Sequence, residues 1–306
     1  MRLLWPSLIP LLLASTLPAQ TRTVAERLGY PANAKLLILH ADDLGAAHSV
    51  NVASFDALDK GVVSSASIMV PTPWITEVAT YAKAHPNADL GLHLTITSEW
   101  ETFRWGSIAS RDNVASLHDR DGTFPREVSQ VVTRAKTLEV ERELRAQIDR
   151  AIALGIRPTH LDSHMGALFA TPELMATYVK VARDYRLPFL ALRGDPRTAP
   201  QPPLMANDVL LDALIAADEH VRPENWMAFY LNLIATLKPG LTEMIVHLGR
   251  DDAELQAVMV DHEAYGSAWR QRDRDVLNSA EFRKALRDNN VIVVTWRDLG
   301  KLLPQP

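Results

Sequence analysis

Length, composition and charge exclude several classes of protein for this chain. With 306 residues, 47% of them hydrophobic and 23% charged, it is long enough for a large core and unlike disordered, collagen-like or coiled-coil proteins. The net charge of −5, without a basic stripe, argues against nucleic acid as a partner. The absence of cysteine excludes disulfides and thiolate metal sites. Any metal must therefore be held by histidines and carboxylates.

The first twenty residues have the form of a secretory signal. Arg2 precedes a mostly apolar run at 3–13, and small residues follow up to Ala19. We predict a signal peptide at 1–20 and one domain at 21–306. The protein would then be exported, periplasmic or secreted, without stable membrane association after cleavage, and loss of Arg2 would take the net charge from −5 to −6. An uncleaved anchor is the alternative.

Beyond this segment, short apolar runs alternate with longer helical patterns, which is typical of βα units around a parallel sheet. The predicted strands are 36–40, 66–70, 90–94, 159–162, 189–192, 243–248 and 291–295. The predicted helices include 50–60, 74–85, 138–154, 172–185, 224–237 and 280–288. About seven parallel strands favour an α/β fold in the form of a distorted or incomplete (β/α) barrel. An open doubly wound sheet is the alternative, although no G-x-G-x-x-G follows the first strand.

Two long segments, 95–125 and 193–207, interrupt this alternation. Loops of this length in a compact domain are usually functional or disordered. The first follows the predicted strand that ends near His93, and the second is rich in proline.

The first apolar run leads into two adjacent carboxylates, Asp42 and Asp43. Neighbouring side chains of a strand point to opposite faces, so we expect one to bind a cation and the other to handle a proton. A single aspartate here would more often be a turn or cap residue, but one cap explains only one carboxylate. Three further runs end in His93, in the segment 160–164 and in His247. Carboxyl ends of strands line the reaction site in α/β proteins.

These strand ends predict a site for one divalent metal ion. Asp43, His93 and His164 offer one carboxylate and two imidazoles, with zinc as the expected metal and magnesium or another transition metal as alternatives. Such a metal lowers the pKa of its bound water from about 15.7 towards roughly 7, and Asp42 is placed to take the proton. His247 could protonate a leaving amine. His93 and His247 could instead be buried structural histidines, which would need partners.

The segment 160–164 contains two histidines and a carboxylate. On a strand-to-loop corner, His160 and Asp162 project to one side, and we predict that they orient a metal ligand through hydrogen bonds. On a helix, His160 and His164 would instead be zinc ligands four residues apart. Pro158 favours the extended alternative.

Three ordered motifs together resemble the YdjC-like carbohydrate deacetylases, relatives of the polysaccharide deacetylases. They are Leu-His-Ala-Asp-Asp-Leu-Gly at 39–45, Gly-Leu-His-Leu-Thr at 91–95 and Thr-His-Leu-Asp-Ser-His at 159–164. The resemblance implies a distorted (β/α) barrel that removes acetyl groups from small N-acetylated carbohydrates. By position, it implies metal ligation by Asp43, His93 and His164, with Asp42 as base and His247 as acid.

The loop after His93 offers candidate substrate contacts at Trp100, Arg104 and Trp105. Aromatic faces suit the C–H faces of a pyranose ring, but these side chains could equally fasten the loop to the barrel. Arg272, in the charged run 270–273, is a further candidate, although such runs are mostly solvated.

Other functions are compatible with the same residues. A metal site of this kind also suits hydrolysis of another amide, an ester or a phosphate, and an exported sugar-binding protein could keep the fold without turnover. Asp42 argues against pure binding, since binding needs no spare carboxylate beside the ligand. No G-x-S-x-G motif supports a serine hydrolase. The oligomeric state is open, with a homodimer as one option.

Overall fold

The computed structural model describes residues 22–194, 204–205 and 208–303, so the predicted signal peptide lies outside the described residues. The strands are β1 (Lys35–Leu44), β2 (Ser65–Ile68), β3 (Leu90–Leu94), β4 (Leu161–Ser163), β5 (Ala213–Ile215), β6 (Gly240–Val246) and β7 (Val291–Val293). The helices are α1 (Val24–Arg27), α2 (His48–Asp59), α3 (Ile75–Ala84), α4 (Val128–Arg134), α5 (Thr137–Ala153), α6 (Pro172–Asp184), α7 (Trp226–Thr236), α8 (Ala253–Val258), α9 (Ser267–Asn278), α10 (Ala280–Asp288) and α11 (Trp296–Gly300). None of the described helices is long and apolar enough to cross a membrane.

The strands form one parallel sheet, which confirms the predicted α/β incomplete barrel. Their order is β4-β3-β2-β1-β6-β5, and β7 pairs with the first residues of β1. β1 is central: it pairs with β6 along most of its length and with β2 in its carboxyl half. Its residues 36–44 are all buried, as expected for a strand covered on both faces.

One predicted strand is wrong. Segment 189–192 forms a single bridge from Phe189 to Leu161 of β4 and another from Leu192 to Leu211, instead of successive pairs with one partner. It crosses the gap between β4 and the chain that enters β5, and β5 itself was not predicted. The other six predicted strands are confirmed, β3 with the predicted bounds and the remaining five with shifted ends.

The six predicted helices are confirmed within about two residues at each end, as α2, α3, α5, α6, α7 and α10. In α5, Val140, Leu144 and Ile148 recur at spacing four and are fully buried, while Ile152 is 50% exposed near the helix end. Burying each of the three side chains is worth about 1.5–3 kcal/mol. This face fixes α5 against the sheet.

The predicted long loop after β3 contains only two short 3₁₀ turns, Arg111–Asn113 and Ala115–Leu117. The buried Glu143 of α5 accepts hydrogen bonds from the N–H groups of Ile108 and Ala109 in this loop. The loop is therefore held against α5, next to the carboxyl end of β3. The second predicted loop, 193–207, lies mostly outside the described residues.

Candidate active site

Asp42 and Asp43 lie inside β1, and both face one cluster of side chains. Asp43 has a φ of 71°, a left-handed conformation that aspartate adopts more readily than most residues. The register between β1 and β2 also shifts between Ala41 and Leu44. As a result, Oδ2 of Asp42 lies 3.7 Å and Oδ1 of Asp43 3.4 Å from Nε2 of His93. The expectation that the two carboxylates point to opposite faces is therefore wrong.

Asp43, His93 and His164 present three buried ligand atoms that lie within 4.8 Å of one another. Oδ1 of Asp43 is 3.4 Å from His93 Nε2 and 3.5 Å from His164 Nδ1. This oxygen has no hydrogen-bond partner within the described part of the chain. A buried acceptor without a partner is costly, and a cation would relieve that cost. The three residues predicted from the sequence thus fit a divalent cation.

A further carboxylate orients each of the two histidines. His93 Nδ1 lies 2.6 Å from Asp162 Oδ1, and His164 Nε2 lies 2.9 Å from Glu99 Oε2. This leaves Nε2 of His93 and Nδ1 of His164 free to bind a cation. Although burial opposes it, the carboxylates of Glu99 and Asp43 raise the pKa of His164 to about 10. The imidazole therefore carries a proton that a cation must displace.

The second oxygen of Asp43 is bonded to α9. The side chain of Arg270 is 2% exposed, and its Nη2 donates to Asp43 Oδ2 at 2.7 Å. Its Nε donates to the carbonyl of Tyr265, also at 2.7 Å. Burial by itself would raise the pKa of Asp43, but Arg270 and His164 hold it well below its usual range. Asp43 is therefore ionised and ready to bind a cation.

Asp42 uses its two oxygens differently. Oδ1 accepts a hydrogen bond from Ser67 at 3.3 Å and lies 3.1 Å from His40 Nε2. Oδ2 lies 3.9 Å from Nε2 of His247, the residue predicted as acid. Burial lowers the pKa of His247 to about 4, although Asp43 opposes this shift. The free oxygen of Asp42 is thus the one that faces the other candidate residues.

Helix α9 was not predicted, and two of its charged residues belong to the site. Asp273 is buried and accepts hydrogen bonds from Trp226 Nε1, Tyr230 Oη and the backbone N–H of His247, at 2.7–2.9 Å. It therefore fixes the backbone at His247, while Arg270 holds Asp43. The apolar spacing of Trp269, Val276 and Leu277 was a signal for a helix with one buried face.

The predicted substrate contacts of the long loop are mostly occupied within the protein. Trp100 and Trp105 are each 3% exposed, and Trp105 Nε1 donates to the carbonyl of Thr97. Arg104 bonds Asp119 and the carbonyl of Phe124. These contacts support the alternative that the side chains fasten the loop. Their contact with substrate stays a prediction.

Arg272 lies beside the site in sequence but packs elsewhere. Its guanidinium carbon is 4.7 Å from the centre of the Trp226 ring, a cation–π contact. It is Arg270, two residues earlier, that bonds Asp43. A substrate contact by Arg272 stays a prediction.

His160 has a different role from the predicted one. It is fully buried and stacks on Trp296, and its Nδ1 lies 3.0 Å from Thr159 Oγ1. A Cβ at Gly91 would come within 2.3 Å of the His160 ring, so glycine makes room for it. The polar contacts of His160 thus run to Thr159 and Asp89 instead of to a metal ligand, and Asp162 alone takes the orienting position predicted for the pair.

The chain is similar to known proteins in sequence and in fold. The model of a family described as YdjC-like protein matches residues 36–288. The chain is 34% identical over 287 residues to a carbohydrate deacetylase of Thermus thermophilus, covering 91% of this chain and 98% of the relative. It is 29% identical over 266 residues to a carbohydrate deacetylase of Brevibacillus brevis, covering 86% and 99%. A solved structure from Enterococcus faecalis, described as a putative cellobiose-phosphate cleavage protein, is 25% identical with a TM-score of 0.74, covering 87% of this chain and 99% of that one.

Proposed function

Because the chain belongs to the YdjC-like protein family, we propose that it is a metal-dependent carbohydrate deacetylase that hydrolyses the acetamide of an N-acetylated sugar. One observation carries the proposal: the buried Oδ1 of Asp43, without a partner among the described residues, faces Nε2 of His93 and Nδ1 of His164 beside the second carboxylate, Asp42. The names of the curated relatives support a carbohydrate as the substrate.

A divalent cation at Asp43, His93 and His164, which we propose to be zinc, would supply a reactive water at neutral pH and polarise the acetyl carbonyl. Asp42 takes the proton of that water at Oδ2. Its Oδ1 is held by Ser67, so the carboxylate keeps its orientation. General base catalysis of this kind contributes about 10²- to 10⁴-fold to the rate.

The amine that leaves the sugar must gain a proton as the C–N bond breaks and the water oxygen joins the acetyl carbon. His247 Nε2 lies 3.9 Å from Asp42 Oδ2, too far for a direct hydrogen bond, so the proton that Asp42 receives passes to His247 through one bridging water and then to the amine. With a pKa lowered to about 4 by burial, His247 releases a proton readily once it holds one. Asp273 keeps its backbone in place.

We place the sugar ring against Tyr265. Tyr265 is 38% exposed, and its ring centre lies 4.9 Å from that of His247 and 4.6 Å from that of Trp269, against which it packs. Its φ of 58° is unusual for an aromatic residue, and such backbone strain is common at ligand sites. An exposed aromatic face beside the proposed acid suits the C–H face of a pyranose.

Acetate release from a panel of N-acetylated mono- and oligosaccharides tests the proposal. We expect release that a chelator abolishes and added zinc restores. Asp42→Asn should keep its metal and lose turnover, whereas Asp43→Ala should lose the metal itself. Full activity of Asp42→Asn, or no release from any sugar by the metal-loaded protein, would contradict the proposal.

Export is part of the same proposal, and it rests on the sequence of 1–20. Expression of the full chain in a Gram-negative host, followed by amino-terminal sequencing of the periplasmic protein, tests it. A mature protein that begins near residue 20 is expected. An intact amino terminus in the cytoplasmic fraction would contradict export.

A further inference from the structure

A fully buried histidine, His40, lies next to Asp42, the proposed base. Its Nε2 is 3.1 Å from Asp42 Oδ1, 3.1 Å from Asp162 Oδ2 and 3.0 Å from Ser67 Oγ. Ser67 donates its own proton to Asp42 Oδ1 at 3.3 Å. Every group at Nε2 is therefore an acceptor, and this nitrogen must carry a proton.

The other ring nitrogen of His40 has equivalent surroundings. Nδ1 lies 3.1 Å from Ser65 Oγ and 3.4 Å from Glu243 Oε1. Ser65 donates its proton to Asp89 Oδ1 at 3.1 Å, so its oxygen accepts from His40. Glu243 Oε1 also accepts from Trp296 Nε1 at 3.0 Å. Nδ1 must therefore carry a proton as well.

Protons on both nitrogens make His40 an imidazolium. Burial by itself would lower the pKa of His40, but the carboxylates of Glu243, Asp162 and Asp42 raise it well above its ordinary value. The hydrogen-bond partners and the surrounding charges thus both indicate that His40 is protonated on both ring nitrogens. A neutral ring would leave one nitrogen facing acceptors only.

We propose that His40 is a positioning residue of the reaction, an imidazolium whose Nε2–H group holds Asp42 Oδ1 and Asp162 Oδ2 in place. It thereby orients two groups at once: the base, and the carboxylate that orients His93. With its Oδ1 held, Asp42 keeps Oδ2 free for the proton of the reacting water. The kinetic part of this inference rests on the proposed function.

Loss of His40 would leave Asp42, Asp162 and Glu243 close together and buried without their shared cation. Like charges in such a place cannot all stay ionised. Glu243, whose pKa burial raises to about 7, takes up a proton first, and the carboxylates of Asp42 and Asp162 then repel each other without a donor between them. Asp42 lies next to the reaction, so we expect its displacement to lower kcat. Each metal ligand keeps its own partner, since Arg270 holds Asp43, Glu99 holds His164 and Asp162 still accepts from His93 Nδ1, so the three should still bind metal.

The experiment compares His40→Leu and His40→Asn with the wild type, measuring metal content, KM and kcat on the best substrate of the panel. His40→Leu should lower kcat by about 10²-fold, as a misplaced catalytic group does, with KM and metal content unchanged. His40→Asn should recover part of kcat because its amide can donate to Asp42. Tyr81→Phe is the control: it removes a hydrogen bond of another buried side chain, to Asp59 Oδ1, away from Asp42, and should leave kcat unchanged.

Unchanged kcat in metal-loaded His40→Leu, or a loss of kcat that follows loss of metal, would overturn the inference. Two readouts do not depend on activity. In ¹⁵N NMR spectra of wild-type protein at neutral pH, His40 should show protons on both ring nitrogens; a single one would overturn it. A crystal structure of a His40 variant should show Asp42 displaced. If the wild type released no acetate, the proposed function would fail, while these two readouts would still decide the role of His40.

Discussion

Replacing Arg270 by methionine would test how the negative charge of Asp43 is balanced. Arg270 is buried, and its Nη2 lies 2.7 Å from Asp43 Oδ2. Methionine keeps much of the apolar side chain and removes the charge. In metal-free protein, Asp43 would then be a buried carboxylate that has lost its bonded guanidinium.

The expected loss of stability is large. Removing one partner of a buried ion pair costs about 3–5 kcal/mol, because the remaining charge is uncompensated. For a domain of this size, each kcal/mol lowers the midpoint of thermal unfolding by about 2–4 °C. We therefore expect the midpoint of the metal-free variant to fall by about 6–20 °C.

Bound metal should reduce this loss, because the cation also compensates Asp43. Linkage then requires that the variant binds metal more tightly than the wild type, about tenfold for each 1.4 kcal/mol by which the loss is reduced. Thermal unfolding with chelator and with saturating zinc, together with calorimetric zinc titration, measures both quantities. Arg274→Met is the control on the same helix, since its ion pair with Asp275 is partly exposed and worth at most about 1 kcal/mol. Equal losses with and without zinc, or weaker zinc binding by Arg270→Met, would refute the reasoning.

Three further changes have definite expected outcomes. Glu99→Gln should weaken zinc binding by about 10- to 100-fold in a chelator competition, because Glu99 orients His164; unchanged affinity would contradict this role. Tyr265→Ala should raise KM with little change in kcat, and an unchanged KM would remove it from the sugar site. Hydrogen bonding to His160 lowers the pKa of Asp89, although burial by itself would raise it. The ionised form of Asp89 therefore stabilises the fold above about pH 4, and this contribution is lost as pH falls through the pKa of Asp89 in the folded protein. Urea unfolding should therefore show Asp89→Asn less stable than the wild type at pH 7, with a smaller difference at about pH 3; a constant difference would contradict this.

Much of the site could be predicted from the sequence because its ligands follow apolar strands. Asp43, His93 and His164 come from β1, β3 and the segment after β4, and parallel strands bring such ends together. Asp162 could be placed beside them because it is two residues from His164. Each of these residues belongs to a short motif whose local pattern indicates both its element and its chemistry.

The partners of these residues could not be predicted in the same way. Arg270 is 227 residues from Asp43 in the chain and lies in a charged run that resembles a solvated helix face. Glu99 lies in a loop without periodicity, and nothing local indicates that it reaches His164. His40 looked like one more residue of an apolar strand. The contact between His40 and Glu243 could not be predicted, because Glu243 is distant in sequence and only the register between β1 and β6 brings the two side chains together.

By itself, the sequence determined the α/β class, most helices and strands, and the residue types at the strand ends, since hydrophobic period and turn residues are local properties. The tertiary structure decided which charged partner each carboxylate oxygen of Asp42 and Asp43 binds. The left-handed conformation of Asp43 turns both carboxylates of β1 to one cluster, where Arg270 takes one oxygen of Asp43 and His40 takes one of Asp42. These assignments depend on distances between residues far apart in the chain, which only the packing of α9 and the sheet sets.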